Sequence, residues 1–176
     1  KQLVYQAENK AGNLVNINLS IKAGECIQIR TKNEIARKSL AELITGNVQS
    51  ESGSILINEV PIQNIDLARY RSKITYISRN DDLIDASLLE NITLKRPGIT
   101  VNQLTQLVTQ LGLNSFVESL PEGYQTNLRA NQVYIPQTVS KKIILARNLI
   151  HQPSLILAGD IFHVFDEADK QSILQF

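Results

Sequence analysis

Polar and apolar positions alternate at the start of the chain, and the period then lengthens. Alternation over residues 3–7 and 14–21 predicts two edge strands joined by a polar turn containing Asn9 and Gly12. The short apolar run Cys26, Ile27, Ile29 predicts a buried strand. Over residues 36–44 the spacing becomes helical, with Ala36, Leu40, Leu43 and Ile44 on one face. Turn residues then mark Gly53 and Pro61 on either side of a strand at 54–58, followed by a short helix at 66–71 and a strand at 73–78. Helices are predicted over 100–111 and 114–119, and the run Leu155, Ile156, Leu157 reads as a further buried strand.

The stretch from Gly24 to Gly46, GECIQIRTKNEIARKSLAELITG, thus has a strand, a loop and a helix in order. A phosphate-binding loop at this place reads G-x-x-x-x-G-K-[ST]: glycine-freed amides surround the phosphates, lysine meets the β and γ phosphates, and a hydroxyl meets magnesium. The segment TKNEIARKS resembles the Walker A region of the ABC transporter ATPase family, with Gly24, Glu25 and Gly46 at that family's flanking positions. On this resemblance Thr31, Glu34 and Ala36 occupy the glycine positions, Arg37 the lysine, Lys38 the magnesium-binding hydroxyl and Ser39 the next threonine.

Further stretches extend the likeness along the chain. SESGSILINEVPIQNIDLARYRSKITYIS is similar to the family line that ends in a glutamine binding magnesium and water, a position held here by Arg79. DLIDASLLENITL resembles the entry into a helical subdomain that contacts the coupling helices of a membrane domain, and LPEGYQT is similar to the exporter branch. Counting back from Ile143, Ala146 and Arg147, the signature L-S-G-G-Q falls on Ile135, Pro136, Gln137, Thr138 and Val139. In PSLILAGDIFHVFD the Walker B aspartate falls on Gly159 and the catalytic glutamate on Asp160. Of the following D-loop only Asp166 is retained. An aromatic that stacks on adenine would correspond to Tyr5, for which a half-buried edge-strand role is the equal alternative.

The resemblance implies an α/β fold: a RecA-like P-loop NTPase core with an antiparallel β edge and an inserted helical subdomain. We expect a single domain over 1–176, with the core at 1–82 and 146–176 and the helical subdomain at 83–145. The family's C-terminal segment, with its switch histidine, is expected to be missing, since neither His151 nor His163 stands in its place. Because no catalytic motif is intact, the function expected is that of a catalytically degenerate nucleotide-binding domain, a docking and regulatory module of an exporter. Its expected partners are a transmembrane domain and either a second copy or a competent nucleotide-binding domain, at the cytoplasmic face of the membrane.

No catalytic residue and no metal ligand is expected, with Asp160 alone at the catalytic glutamate position. Tyr5, Thr31, Lys32, Glu34, Ala36, Arg37, Lys38, Ser39 and Arg79 mark the degenerate nucleotide positions. Lys38 and Arg79 are expected either to hold an anion or to pair with Glu34 or Asp160. No cofactor is expected, and Mg2+ least of all. A divergent ATP-binding ATPase that powers export, and a stand-alone cytoplasmic anion or nucleotide sensor built on Lys32, Arg37, Lys38 and Arg79, are the alternatives.

Composition changes this picture little. The chain of 176 residues carries 18 Lys and Arg against 17 Asp and Glu, a net charge of +1. That balance argues against a nucleic-acid partner or a polybasic membrane anchor. The single cysteine, Cys26, allows no internal disulfide and is expected as a packed thiol in a cytoplasmic setting. The absence of an initiator methionine and of a long apolar run suggests a fragment that does not itself cross a membrane.

Overall fold

The computed structural model describes residues 3–5, 13–129 and 133–174. The chain divides between Ser72 and Lys73 into two compact units. The expected turn at Asn9 and Gly12 lies outside the described residues.

In the first unit, β1 (Leu3–Tyr5) and β2 (Leu14–Ile17) pair antiparallel, with Leu3 opposite Ile17 and Tyr5 opposite Leu14. The helix α1 (Glu34–Ile44) buries Leu43 against Leu14, and Ile17, Ala36, Leu40, Val48 and Ile55 complete that small core. Gly46 ends the helix in the left-handed region at φ 70°, its amide donating to the Leu43 carbonyl at 3.1 Å. A Cβ here would strain the backbone and displace the tip of Leu67, whose Cδ2 it would meet at 2.9 Å. From α2 (Leu67–Arg71), Tyr70 and Arg71 cap the exposed carbonyls of α1: Tyr70 Oη donates to Ile44 at 2.8 Å, and Arg71 donates to Thr45 and Gly46 at 3.0 and 2.6 Å.

Some expectations for this unit are corrected. Residues 25–30 form no strand and are exposed throughout, and Cys26 is an exposed thiol rather than a packed one. An alternating apolar run is buried only where partner strands and a covering layer accept it, and this segment lies in none of the sheets. The hairpin turn is also not at Pro61. β3 (Leu56–Ile57) pairs with β4 (Val60–Pro61) through Asn58 and Glu59, both at positive φ. Two consecutive positive φ values match the twist of a tight hairpin, and proline is tolerated on the short strand that follows.

In the second unit, β5 (Ile74–Ile77) and β6 (Leu155–Ala158) are parallel neighbours, Ile74 opposite Leu155 and Ile77 opposite Ala158. Between them in sequence lie α3 (Leu88–Thr93), α4 (Val101–Gln110), α5 (Asn114–Ser119) and α6 (Gln137–Leu149), and α7 (Glu167–Ile173) follows β6. Capping boxes open α3 (Ser87 with Glu90) and α4 (Thr100 with Gln103). A continuous core joins Ile77, Ile92, Val108, Leu128, Ile143 and Ile144. β6 is less buried than its apolar run suggests: Leu155 and Leu157 are half-buried and Ile156 is exposed, because among the described residues β5 is its only strand neighbour.

Candidate functional site

Each unit carries part of the positions singled out by the sequence. In the first unit, the loop before α1 is held by its own side chains. Asn33 is the N-cap: its Oδ1 accepts the amides of Ile35 and Ala36 at 3.0 and 3.2 Å, and its carbonyl accepts Arg37 N at 3.2 Å. Thr31 Oγ1 in turn accepts the Asn33 amide at 3.1 Å. None of Thr31, Glu34 and Ala36 is at positive φ, and α1 already begins at Glu34.

The charges on this helix pair along its surface. Arg37 Nη2 lies 3.1 Å from Glu34 Oε1, and Lys38 Nζ lies 3.9 Å from Glu42 Oε1. Lys38 was expected to hold an anion or to pair with Glu34 or Asp160. Glu34 and Glu42 both stand four residues from Lys38 on the helix, but Glu34 is engaged by Arg37 and Lys38 meets Glu42. Lys32 is exposed, Ala36 packs at the small core, and Ser39 is buried. Tyr5 ends β1.

In the second unit the candidate positions gather where β5 and β6 end. Arg79 Nη1 lies 3.9 Å from Asp160 Oδ2, and His163 Nδ1 is 2.9 Å from the Asp160 carbonyl and 3.7 Å from Oδ1. Gly159 prolongs the ladder, its amide donating to the Ile77 carbonyl at 2.7 Å. A Cβ at Gly159 would stand 3.1 Å from Ile77 O and 3.2 Å from Arg79 N, against backbone that would have to give by a few tenths of an ångström. Asp166 caps α7 through Asp169 N at 2.8 Å. Among the described residues, no group of His, Cys, Asp and Glu is arranged to hold a metal.

The stretch Ile135–Val139 opens α6, with Pro136 as a cap that lends no side-chain hydrogen bond. Ile135 and Val139 pack on the core instead. Beside it, a cavity of about 410 Å3 is lined by Leu83, Leu128, Val133 and Ile135 together with Asp82, Arg129 and Ser140.

Sequence reasoning missed the polar network behind this surface. Asn91 is fully buried, its Nδ2 donating to the carbonyls of Ile84, Ala86 and Ser87 at 3.1, 3.2 and 3.1 Å. Arg147 donates to Asn91 and, through Nη1, to the Asp82 carbonyl at 3.0 Å. Lys141 Nζ donates to the carbonyls of Arg79 and Asp81. The available signal was Asn91 itself, a polar side chain amid Leu88, Leu89 and Ile92: a buried amide requires partners.

Comparison with known proteins accords with this geometry. The sequence profile of the family described as ABC transporter matches residues 14–162. The chain is 26% identical over 92% of its length to a probable ABC transporter ATP-binding/permease protein of Haemophilus influenzae, of which it spans 29%. It is 28% identical over 91% of its length to the cyclolysin secretion/processing ATP-binding protein CyaB of Bordetella pertussis, spanning 22% of that protein. To the alpha-hemolysin translocation ATP-binding protein HlyB of Escherichia coli it is 29% identical over 92% of its length, spanning 23%. Among solved structures, a bacterial Atm1-family ABC exporter with ATP bound superposes on 99% of the chain with a TM-score of 0.79 at 19% identity, the match spanning 30% of that exporter. The fold is therefore the ABC ATPase fold.

Proposed function

The chain belongs to the ABC transporter family, and on that premise we propose that it is the nucleotide-binding domain of a membrane exporter in which ATP binding and hydrolysis have been replaced by docking. One observation carries the reading. The amides of Ile35 and Ala36, which a phosphate cradle would present to its ligand, already donate to Asn33 Oδ1. Glu34 adds a carboxylate where an anion would arrive. Arg37, at the lysine position, is engaged with that same carboxylate.

The positions corresponding to magnesium ligands do not fit the ion. Lys38 and Arg79 are cations paired with carboxylates, and Gly159 has no ligand atom and only tight room for a Cβ. Phosphoryl transfer needs metal, positioned water and charge stabilisation together. Asp160 is shared between Arg79 and His163.

The chain spans only 22–29% of the relatives described above, and the H. influenzae relative's name includes a permease. No helix among the described residues is long and apolar enough to cross a membrane. We therefore assign the cavity beside Leu83 and Ile135 to a helix of a transmembrane domain, met at the cytoplasmic face. The domain works there with a second copy or a competent partner.

Thermal unfolding with millimolar ATP, once with Mg2+ and once with a chelator, tests the reading. A ligand at about 100 times its dissociation constant stabilises the native state by about 2.7 kcal/mol, a shift of about 5 to 10 °C at this size. No shift in either condition is expected. A shift that requires Mg2+ would overturn the proposal.

A further inference from the structure

Residues 79–87 lie outside the strands and helices, yet their carbonyls are taken almost in succession by side chains of the same unit. Lys141 Nζ donates to Arg79 O and Asp81 O at 2.9 and 2.8 Å. Arg147 takes Asp82 O, and Arg129 Nη2 takes Leu83 O, both at 3.0 Å. Asn91 takes Ile84, Ala86 and Ser87. An exposed loop ordinarily leaves such carbonyls to water and samples several conformations.

Lys141 has a distinct place in this set. An ammonium offers several donors and no acceptor, so one side chain on α6 closes onto two carbonyls at once. Within the loop, Asp81 Oδ2 accepts the Ser78 amide at 2.9 Å and Asp81 N donates to Ser78 O at 3.2 Å, so the clamped part is also folded on itself.

We infer that Lys141 latches residues 79–81 onto α6 in one conformation, so that the docking surface beside them is preset and does not respond to nucleotide. The consequence for docking rests on the proposed function; the latch does not. Lys141 is a positioning residue, and the loop it positions is the readout.

Hydrogen exchange on the whole chain tests this, comparing wild type, Lys141→Met and Lys141→Arg, each with and without ATP and Mg2+. The wild-type peptide covering 78–87 is expected to exchange slowly and at the same rate with nucleotide. Lys141→Met should speed that peptide by about tenfold through loss of two charge-assisted hydrogen bonds, while peptides from α4 and α5 keep their rates. Lys141→Arg should recover most of the protection. Free-peptide rates in the wild-type loop, a change on adding ATP, or equal acceleration throughout the unit in Lys141→Met would each overturn the latch. Retained loop protection in a protein that ATP stabilises thermally would uphold the latch and count against the proposed function alone.

Discussion

Arg147 and Asn91 are joined twice: Nη2 donates to Asn91 Oδ1, and Nε to the Asn91 carbonyl, both at 2.8 Å. Burial pulls the guanidinium below its usual pKa, with Asp81 and Asp82 opposing the shift. A guanidinium nevertheless stays protonated at any ordinary pH, so both donors remain available across that range.

Replacing Asn91 with leucine leaves the amide and carbonyl of Ile84 and the Arg147 Nη2 short of partners, while Ala86 O keeps Leu128 N and Ser87 O keeps the backbone amide of residue 91. Unsatisfied buried groups cost about 1–3 kcal/mol each, so a loss of about 3 kcal/mol or more is expected in urea unfolding. Arg147→Met should cost a similar amount. The double variant should cost less than the sum, by about 1–2 kcal/mol; strict additivity would dissolve the network as a unit.

Restoring a carboxylate at Gly159 should not restore a metal site. Gly159→Asp forces a Cβ against the backbone of Ile77 and Arg79, and overpacking of this kind costs about 1–3 kcal/mol. Calorimetry should show a lower Tm and no rescue by millimolar Mg2+. A Tm that rises with Mg2+ would contradict the reading of the strand end.

Asn33→Ala removes the N-cap of α1 and should destabilise the protein by about 1 kcal/mol. The variant exposes the amides of Ile35 and Ala36 but keeps Glu34 and its carboxylate. It should therefore still give no thermal shift with ATP. If nucleotide stabilised this variant alone, the cap would be the one obstacle to binding.

His151 sets a pH dependence. Its Nε2 is buried without a hydrogen-bond partner among the described residues, and burial, followed by the Arg96 charge, lowers the pKa of the ring. The folded state thus binds this proton less readily than the unfolded chain does. Its contribution is fully present above the unfolded value near 6.5 and is lost as pH falls towards the depressed folded value. Tm measured from pH 7.5 to 5.5 should fall more steeply for wild type than for His151→Leu. Parallel profiles would exclude His151 as the source.

Much of the fold could be read from local signals. Thr100 and Gln103 announce α4, and the spacing of Leu104, Leu107, Val108 and Leu111 names its buried face. Gly46 marks the end of α1 by conformation and by contact. What escaped was decided at a distance. Cys26 fitted a strand pattern, but burial depends on neighbours that a run of three apolar residues cannot specify. Pro61 suggested a turn, whereas Asn58 and Glu59 took the positive φ values. Of the candidate site, the lost side chains were legible position by position. The replacements were less so: Asn33 as a cap, Glu42 rather than Glu34 beside Lys38, and the cations that clamp residues 79–87.

The close approach of β5 to Gly159 also has an evolutionary consequence. With no side chain to hold them apart, the strands have settled where a Cβ would be 3.1 Å from a carbonyl oxygen. A side chain introduced at this one codon meets a strained backbone before it meets any gain. The position acts as a filter on sequence change, open to a residue other than glycine only where the backbone of 77–79 gives by a few tenths of an ångström.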